Sequence, residues 1–164
     1  MKEYYKREKL EEVGLAINHN VHYFVVIDFQ ATFKERNPNN YKYEIIEYRA
    51  VLISSCTIEV EDTFHKYIRS LINPNLRTFC KNLNGISQKI VNAIDPFLIV
   101  HDSDDLIVNW NQNKGLGSKY TFSLAADGPF DMSRFLYLQT CHSSIAFPEY
   151  ASNWVNLRKC FINY

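Results

Sequence analysis

The alternation of apolar and polar positions predicts three strands in the first half of the chain. An apolar run covers 23–29, a second covers about 44–54, and in 58–68 apolar residues alternate with acidic ones. Alternation with a period of two is typical of a strand that buries one face. We therefore expect three consecutive strands before the first helix.

The second half of the chain alternates between helical and strand patterns. Apolar residues recur at helical spacing in four segments, and two further short strands separate them. The predicted helices are 76–83, 87–94, 103–114 and 131–139, and the predicted strands are 120–125 and 154–157. This order predicts the α/β class, with a mixed five-stranded sheet and helices on its faces.

Composition and charge limit the classes of function. The chain has 164 residues, enough for one core, and its 18 basic and 18 acidic residues cancel. Nucleic-acid binding would therefore need a local patch, because there is no overall positive field. We expect a charged leader at 1–22 and one domain at 23–164. No apolar run approaches the roughly 20 residues that span a membrane, so no membrane partner is expected.

The four cysteines are widely separated and lack the spacing of a metal or redox motif. Such scattered thiols are typical of reduced, mostly buried side chains in a cytoplasmic or nuclear protein. They are Cys56, Cys80, Cys141 and Cys160.

Two acidic residues are candidates for chemistry. Asp28 interrupts an apolar strand, and Gln30 projects from the same face two residues later. A carboxylate in such a strand is costly unless it binds a metal or another partner. Asp131 follows the predicted strand 120–125 through a turn, at the start of a helix, where it could instead serve as a helix cap. Asp127 is the alternative acid in that turn.

Five segments in the same order resemble sequence blocks of the DEDDh 3′→5′ exonucleases, in the branch of Eri-type exoribonucleases. Residues 28–32 (DFQAT) resemble the block DFEAT, and 44–52 (EIIEYRAVL) resemble EIIEFPAVL. Residues 79–86 (FCKNLNGI) are similar to FCxxLTGI, 127–132 (DGPFDM) to DGPWDM, and 154–159 (WVNLRK) to WINLRK. The resemblance implies an RNase H-like fold.

The resemblance also implies a reaction and a set of site residues. In the family, two Mg²⁺ or Mn²⁺ ions about 3.5–4 Å apart promote phosphodiester hydrolysis at RNA 3′ ends. Asp28, Gln30 and Asp131 would be the catalytic positions, with Asp28 and Asp131 as metal ligands. The implied RNA-binding positions are Phe29, Ala31, Thr32, Phe79, Leu83, Asn84, Gly85 and Ile86. Ordinary helix packing is the alternative for Phe79 and Leu83, and helix capping is the alternative for Asn84.

Two departures from the family pattern lead us to expect weak or absent catalysis. Gln30 stands where the first block has glutamate, and an amide oxygen brings no charge to a cation. The third block, a histidine and an aspartate, does not occur before Tyr164, so we expect a C-terminally truncated domain without its last helices. Either Glu44 or Glu47 could replace the missing carboxylate, but not both, because they are three residues apart on a strand.

Two functions from different classes follow from these expectations. The first is a 3′→5′ exoribonuclease, impaired as the chain stands. The alternative is a non-catalytic module that binds RNA or a protein. The missing helices would leave one sheet face incomplete, and we expect either the leader or a protein partner to cover it.

Overall fold

The computed structural model describes residues 21–36, 40–92, 96, 110 and 112–162. The predicted leader and most of the predicted helix 103–114 lie outside these residues. Five strands form a single sheet in the order β3-β2-β1-β4-β5. They are β1 (Tyr23–Ala31), β2 (Ile45–Ser54), β3 (Val60–Tyr67), β4 (Phe122–Ala126) and β5 (Trp154–Asn156).

The sheet is mixed, as the sequence predicts. β1 is antiparallel to β2 and parallel to β4, while β2 pairs antiparallel with β3 and β4 pairs parallel with β5. Several strand boundaries differ from the prediction, among them that of β4, which lies at Phe122–Ala126 and not at 120–125. β1 continues past Phe29 to Ala31 because Gln30 still pairs with β2. β3 starts at Val60 because Ile58 takes a left-handed backbone conformation (φ 59°) in the preceding turn.

The helices pack against the sheet in two places. They are α1 (Thr78–Asn84), α2 (Gln88–Asn92), a π-helix (Phe130–Leu136), α3 (Tyr137–Ser143), a 3-10 turn (Glu149–Ala151) and α4 (Leu157–Ile162). The π-helix contributes to the main core, and α1 and α2 pack against β2. The prediction of one α-helix over 131–139 is wrong in its first half, where the structure has a π-helix. The spacing of Met132, Phe135 and Leu136 is compatible with either type of helix, so the sequence did not distinguish them. The predicted strand 154–157 ends at Asn156, and Leu157 begins α4.

The main core lies on one face of the sheet. The odd-numbered residues of β1 bury their side chains there together with Tyr48, Ala50 and Leu52 of β2, against Trp154 and the π-helix. A shift of register at the start of β2 places Ile45 in this core and Ile46 in a second cluster. Met132 of the π-helix and Trp154 of β5 are 0% and 1% exposed. Within the described ranges, no helix combines the length and apolar character needed to cross a membrane.

The prediction that the four thiols are mostly buried is wrong. All four cysteines are free, as expected, but only Cys80 is buried. Cys56 and Cys141 are exposed and Cys160 is half-buried, because they lie in a turn and near helix ends at the surface and not on core-facing strand positions.

Glu44 fixes the loop that follows β3. Its carboxylate is 4% exposed and accepts hydrogen bonds from the backbone N–H groups of Leu71, Ile72 and Asn73 at 2.7, 2.9 and 2.6 Å. The Asn73 side-chain amide donates to the same carboxylate at 3.1 Å. These bonds stabilise the loop and occupy Glu44 fully, so it is not a substitute for a ligand at position 30.

We expect Glu44→Ala to lower the free energy of unfolding by about 2 kcal/mol, because it removes a buried carboxylate that accepts hydrogen bonds from three part-buried backbone N–H groups. Urea denaturation monitored by circular dichroism measures the change. Glu59→Ala removes an exposed carboxylate from the turn before β3 and should change stability by less than about 0.5 kcal/mol. Equal losses in the two variants would contradict the anchoring role.

Candidate active site

β1 presents Asp28 and Gln30 on the face opposite the main core. Val25, Ile27 and Phe29 are 3%, 2% and 3% exposed, whereas Asp28 is exposed and Gln30 is half-buried. The side chains of alternate strand residues point to opposite faces, so burying the odd-numbered set leaves the even-numbered set available. The Gln30 side-chain amide donates a hydrogen bond to Asp28 Oδ2 at 3.3 Å.

The turn after β4 brings Asp131 to the same place. Gly128 takes a positive φ of 92° there, a conformation that glycine adopts without steric cost, and the π-helix begins two residues later. The backbone N–H of Phe29 donates to Asp131 Oδ1 at 3.0 Å. Because Phe29 N is bonded to the carbonyl carbon of Asp28, that oxygen lies within about 6 Å of Asp28 Cα.

Helix capping is therefore not the only role of Asp131. Its carboxylate interacts with its own backbone N–H at the start of the π-helix and also accepts a hydrogen bond from the backbone of β1. This tertiary contact joins the ends of two neighbouring parallel strands. π-Helical turns are frequent at functional sites, where they reposition a single side chain.

Burial raises the pKa of Asp131 to about 6, and the negative charge of the nearby Asp28 acts in the same direction. The N–H bond from Phe29 opposes the rise without cancelling it. Asp131 is only 8% exposed, so its charged form is poorly hydrated. Two carboxylates in this arrangement are stabilised by a shared positive partner, either a proton or a cation.

The donor atoms suit a hard divalent cation. Asp28 and Asp131 offer carboxylate oxygens and Gln30 an amide oxygen, and oxygen ligands are those that Mg²⁺ and Mn²⁺ prefer. In the part of the chain that the structure describes, no group of three or more His, Cys, Asp or Glu residues could hold a metal.

Asp127, the other acid of the turn, has a different partner. Arg158 of α4 donates to both of its carboxylate oxygens, at 3.2 and 2.9 Å. The Arg158 guanidinium lowers the pKa of Asp127. Both side chains are largely exposed, so the pair fastens α4 to the end of β4 and leaves Asp131 as the acid that meets β1.

Glu47, which the sequence offered as a replacement ligand, lies on the face of Gln30 with two side chains that the sequence did not place in the site, Arg49 and His65. Glu47 is the direct cross-strand partner of Gln30 and therefore shares its face. Glu47 Oε1 accepts hydrogen bonds from Arg49 Nη2 and His65 Nε2, both at 2.7 Å. Of the two glutamates considered as substitutes for a carboxylate at position 30, only Glu47 shares the face of Gln30. Its Oε1 is paired, whereas its buried Oε2 has no hydrogen-bond partner in the described part of the chain.

Several predicted RNA-binding positions have buried side chains. Phe29, Ala31, Thr32 and Ile86 are 3%, 0%, 1% and 3% exposed. Phe29 and Ala31 belong to the main core, and Ile86 belongs to a second cluster between β2 and the helices α1 and α2. Any contact of these four residues with a ligand is therefore limited to backbone atoms, because their side chains are enclosed.

The remaining predicted positions lie along α1 and at its end. Phe79 and Leu83 are 44% and 56% exposed, which argues against ordinary helix packing as their full role. The Asn84 side-chain amide donates to the carbonyl oxygen of Ala31 at 2.8 Å, so it ties α1 to the end of β1 and does not cap α2. Gly85 ends α1 with a φ of 70°. An apolar surface thus lies next to the strand that carries Asp28.

Known proteins that resemble the chain are exoribonucleases. The 3′-5′ exoribonuclease 1 of Homo sapiens is 41% identical over 166 residues, covering 100% of this chain and 46% of that protein. The chain thus spans about half the length of that relative. The ERI1 exoribonuclease 3 of Homo sapiens is 31% identical over 141 residues, covering 85% of this chain and 40% of that protein. No protein-family model matches the chain.

A solved structure agrees in fold and in sequence. The crystallographic structure of the nuclease domain of 3′hExo, a DEDDh family member, bound to rAMP, superposes with a TM-score of 0.84 at 41% identity. The match covers 89% of this chain and 72% of the other. The five blocks, the mixed sheet and this match agree with one another, and the chain belongs to the DEDDh exonuclease family and has its RNase H-like fold.

Proposed function

We propose that this chain is the nuclease domain of a 3′→5′ exoribonuclease that removes nucleotides from RNA 3′ ends by metal-dependent hydrolysis. The observation that carries the proposal is the hydrogen bond from Phe29 N–H to Asp131, which brings that carboxylate next to Asp28. The relatives named above support the type of reaction. A structural neighbour described as a 3′-exonuclease with 3′-end specific recognition of histone mRNA stem-loop, 41% identical with a TM-score of 0.83, supports RNA as the substrate class.

Asp28 and Asp131 would hold Mg²⁺ or Mn²⁺ in this site. When bound, such a cation stabilises the charge that develops on the scissile phosphate. Gln30 keeps an oxygen next to Asp28 but contributes no charge, and its N–H group occupies Asp28 Oδ2. For this reason the proposed activity is weak in the native sequence.

The exposed apolar face of α1 would receive the terminal nucleotide. Phe79 and Leu83 offer a surface on which a base can stack without strong sequence preference. A cytoplasmic or nuclear location fits an RNA substrate and the four free thiols. A protein partner over the sheet face remains a prediction.

An RNA-shortening assay tests the proposal. The chain is incubated with 5′-labelled single-stranded RNA and Mn²⁺ or Mg²⁺, and the products are separated on a denaturing gel. We expect slow stepwise shortening from the 3′ end that stops with EDTA and falls at least about 10-fold in Asp28→Asn. Glu149→Gln, which neutralises an exposed acid far along the chain, should shorten RNA at the native rate. RNA that is retained on a native gel but never shortened, even in Gln30→Glu, would favour the non-catalytic binding module.

A further inference from the structure

Three exposed side chains form a straight row across β1, β2 and β3. Asp28 pairs with Arg49, and Arg49 pairs with His65, so all three project from the same face of the sheet. Neighbouring strands are about 4.8 Å apart, and the row therefore extends about 10 Å from Asp28 to the edge strand. It forms a polar track that starts at the candidate active site.

Glu47, two residues along β2 on the same face, holds Arg49 in place. Arg49 Nη2 donates to Glu47 Oε1 at 2.7 Å, and the Glu47 side chain is 1% exposed. An arginine has five N–H donors in a rigid fork, so this bond leaves others that can face outwards. The Arg49 side chain is 51% exposed, which places the guanidinium at the surface although its hydrogen-bond partner is buried.

His65 binds the same carboxylate oxygen from the neighbouring strand. Its Nε2 lies 2.7 Å from Glu47 Oε1, and its side chain is 47% exposed. The Glu47 carboxylate is thus enclosed, while the two side chains that it orients on the same face are accessible to a ligand. Because Glu47 fixes the side chains of Arg49 and His65 before a ligand arrives, less side-chain entropy is lost when the ligand binds.

The chemistry of this row suits a phosphodiester. The arginine fork matches the geometry of phosphate oxygens better than a lysine does. The row also begins at Asp28, where the scissile phosphate would lie under the proposed function.

We propose that Arg49, positioned by Glu47 and flanked by His65, binds a backbone phosphate of the RNA strand close to the phosphate at Asp28 and Asp131. This inference rests on the proposed function for the identity of the ligand. It assigns to Arg49 a binding role that is independent of any metal, because the guanidinium carries its charge permanently. Glu47 acts as a positioning residue.

Fluorescence anisotropy with a labelled single-stranded RNA in EDTA tests the assignment without catalysis. We expect Arg49→Gln to weaken binding about 10-fold at low salt, as for the loss of one charged hydrogen bond. The slope of log affinity against log salt concentration should fall by about 0.7, the value for one phosphate contact on a single strand. Arg49→Lys should lose about 3-fold in affinity while keeping the slope, since it keeps the charge but not the fork.

Lys66→Gln is the matched control. Lys66 follows His65 on β3, is exposed, and projects from the opposite face of the sheet, so its loss should change affinity by less than about 2-fold. Equal effects of Arg49→Gln and Lys66→Gln, with the native chain binding RNA, would overturn the role of Arg49 and leave the proposed function intact. If the native chain binds no RNA in EDTA, the metal-independent role of Arg49 fails, and the RNA-shortening assay with Mn²⁺ alone decides the proposed function. If Arg49→Gln does not fold, Arg49→Lys decides, and native affinity in that variant overturns the inference.

Discussion

Replacing Gln30 with glutamate is expected to raise the rate of RNA shortening by about 100-fold. The substitution removes the N–H donor that now binds Asp28 Oδ2 at 3.3 Å and adds a carboxylate on the same strand face. A further charged ligand beside Asp28 strengthens cation binding and the stabilisation of charge on the phosphate, an effect of several kcal/mol. The rate is measured from the time course of 5′-labelled RNA in Mn²⁺.

Gln112→Glu is the matched control for this change. Gln112 is exposed and lies outside the site elements, so the same substitution there adds the same charge without adding a ligand. We expect the control to leave the rate within about 2-fold of the native value. If Gln30→Glu has no larger effect than the control, the missing carboxylate is not what limits the reaction.

Replacing Asp131 with asparagine is expected to stabilise the metal-free protein at pH 8 by about 2 kcal/mol while abolishing hydrolysis. The pKa of Asp131 is raised from 3.8 to about 6 by burial and by the charge of Asp28. The folded state therefore holds this proton more tightly than the unfolded state does. Its contribution to stability is fully present below pH 3.8 and is lost as the pH rises through 6. Each pKa unit corresponds to about 1.4 kcal/mol, and asparagine removes the ionisation while keeping an oxygen for Phe29 N–H.

Urea denaturation in EDTA at pH 4 and at pH 8 measures this effect. The gain from Asp131→Asn should appear at pH 8 and be small at pH 4, where the native carboxyl is already protonated. Asp127→Asn serves as the control of opposite sign, because Arg158 lowers the pKa of Asp127 and its charged form is the stabilised one. A gain of the same size at both pH values would show that burial of the Asp131 charge is not its cause.

The sequence was sufficient to predict what depends on strand periodicity. The period of two places Asp28 and Gln30 on one face of β1. The odd-numbered residues are apolar and take the buried face, so Asp28 and Gln30 lie on the other one, as the structure shows. The five strands and their mixed class also follow from local pattern. The segment that contains Asp131 could be located from its resemblance to a family block. The contact of Asp131 with Phe29 could not be predicted, because it depends on how the turn after β4 approaches β1.

Side-chain partners across strands could not be predicted, because they depend on register. Glu44 and Glu47 look equivalent in the sequence, yet Glu44 binds the loop after β3 and Glu47 lies opposite Gln30. The row from Asp28 through Arg49 to His65 has the same origin, since pairing brings together residues 21 and 16 positions apart. A one-residue shift of register would move each of these side chains to the other face.

The proposed activity requires that Asp28 and Asp131 form one cation site. Isothermal titration with Mn²⁺ at pH 7.5 tests this for the native chain, Asp28→Asn, Asp131→Asn and the double variant. We predict that each single substitution weakens Mn²⁺ binding at least about 10-fold and that the double variant loses much less than the sum of the two, as expected for residues that share one ligand. Mn²⁺ binding that survives both substitutions, or losses that simply add, would contradict a shared site.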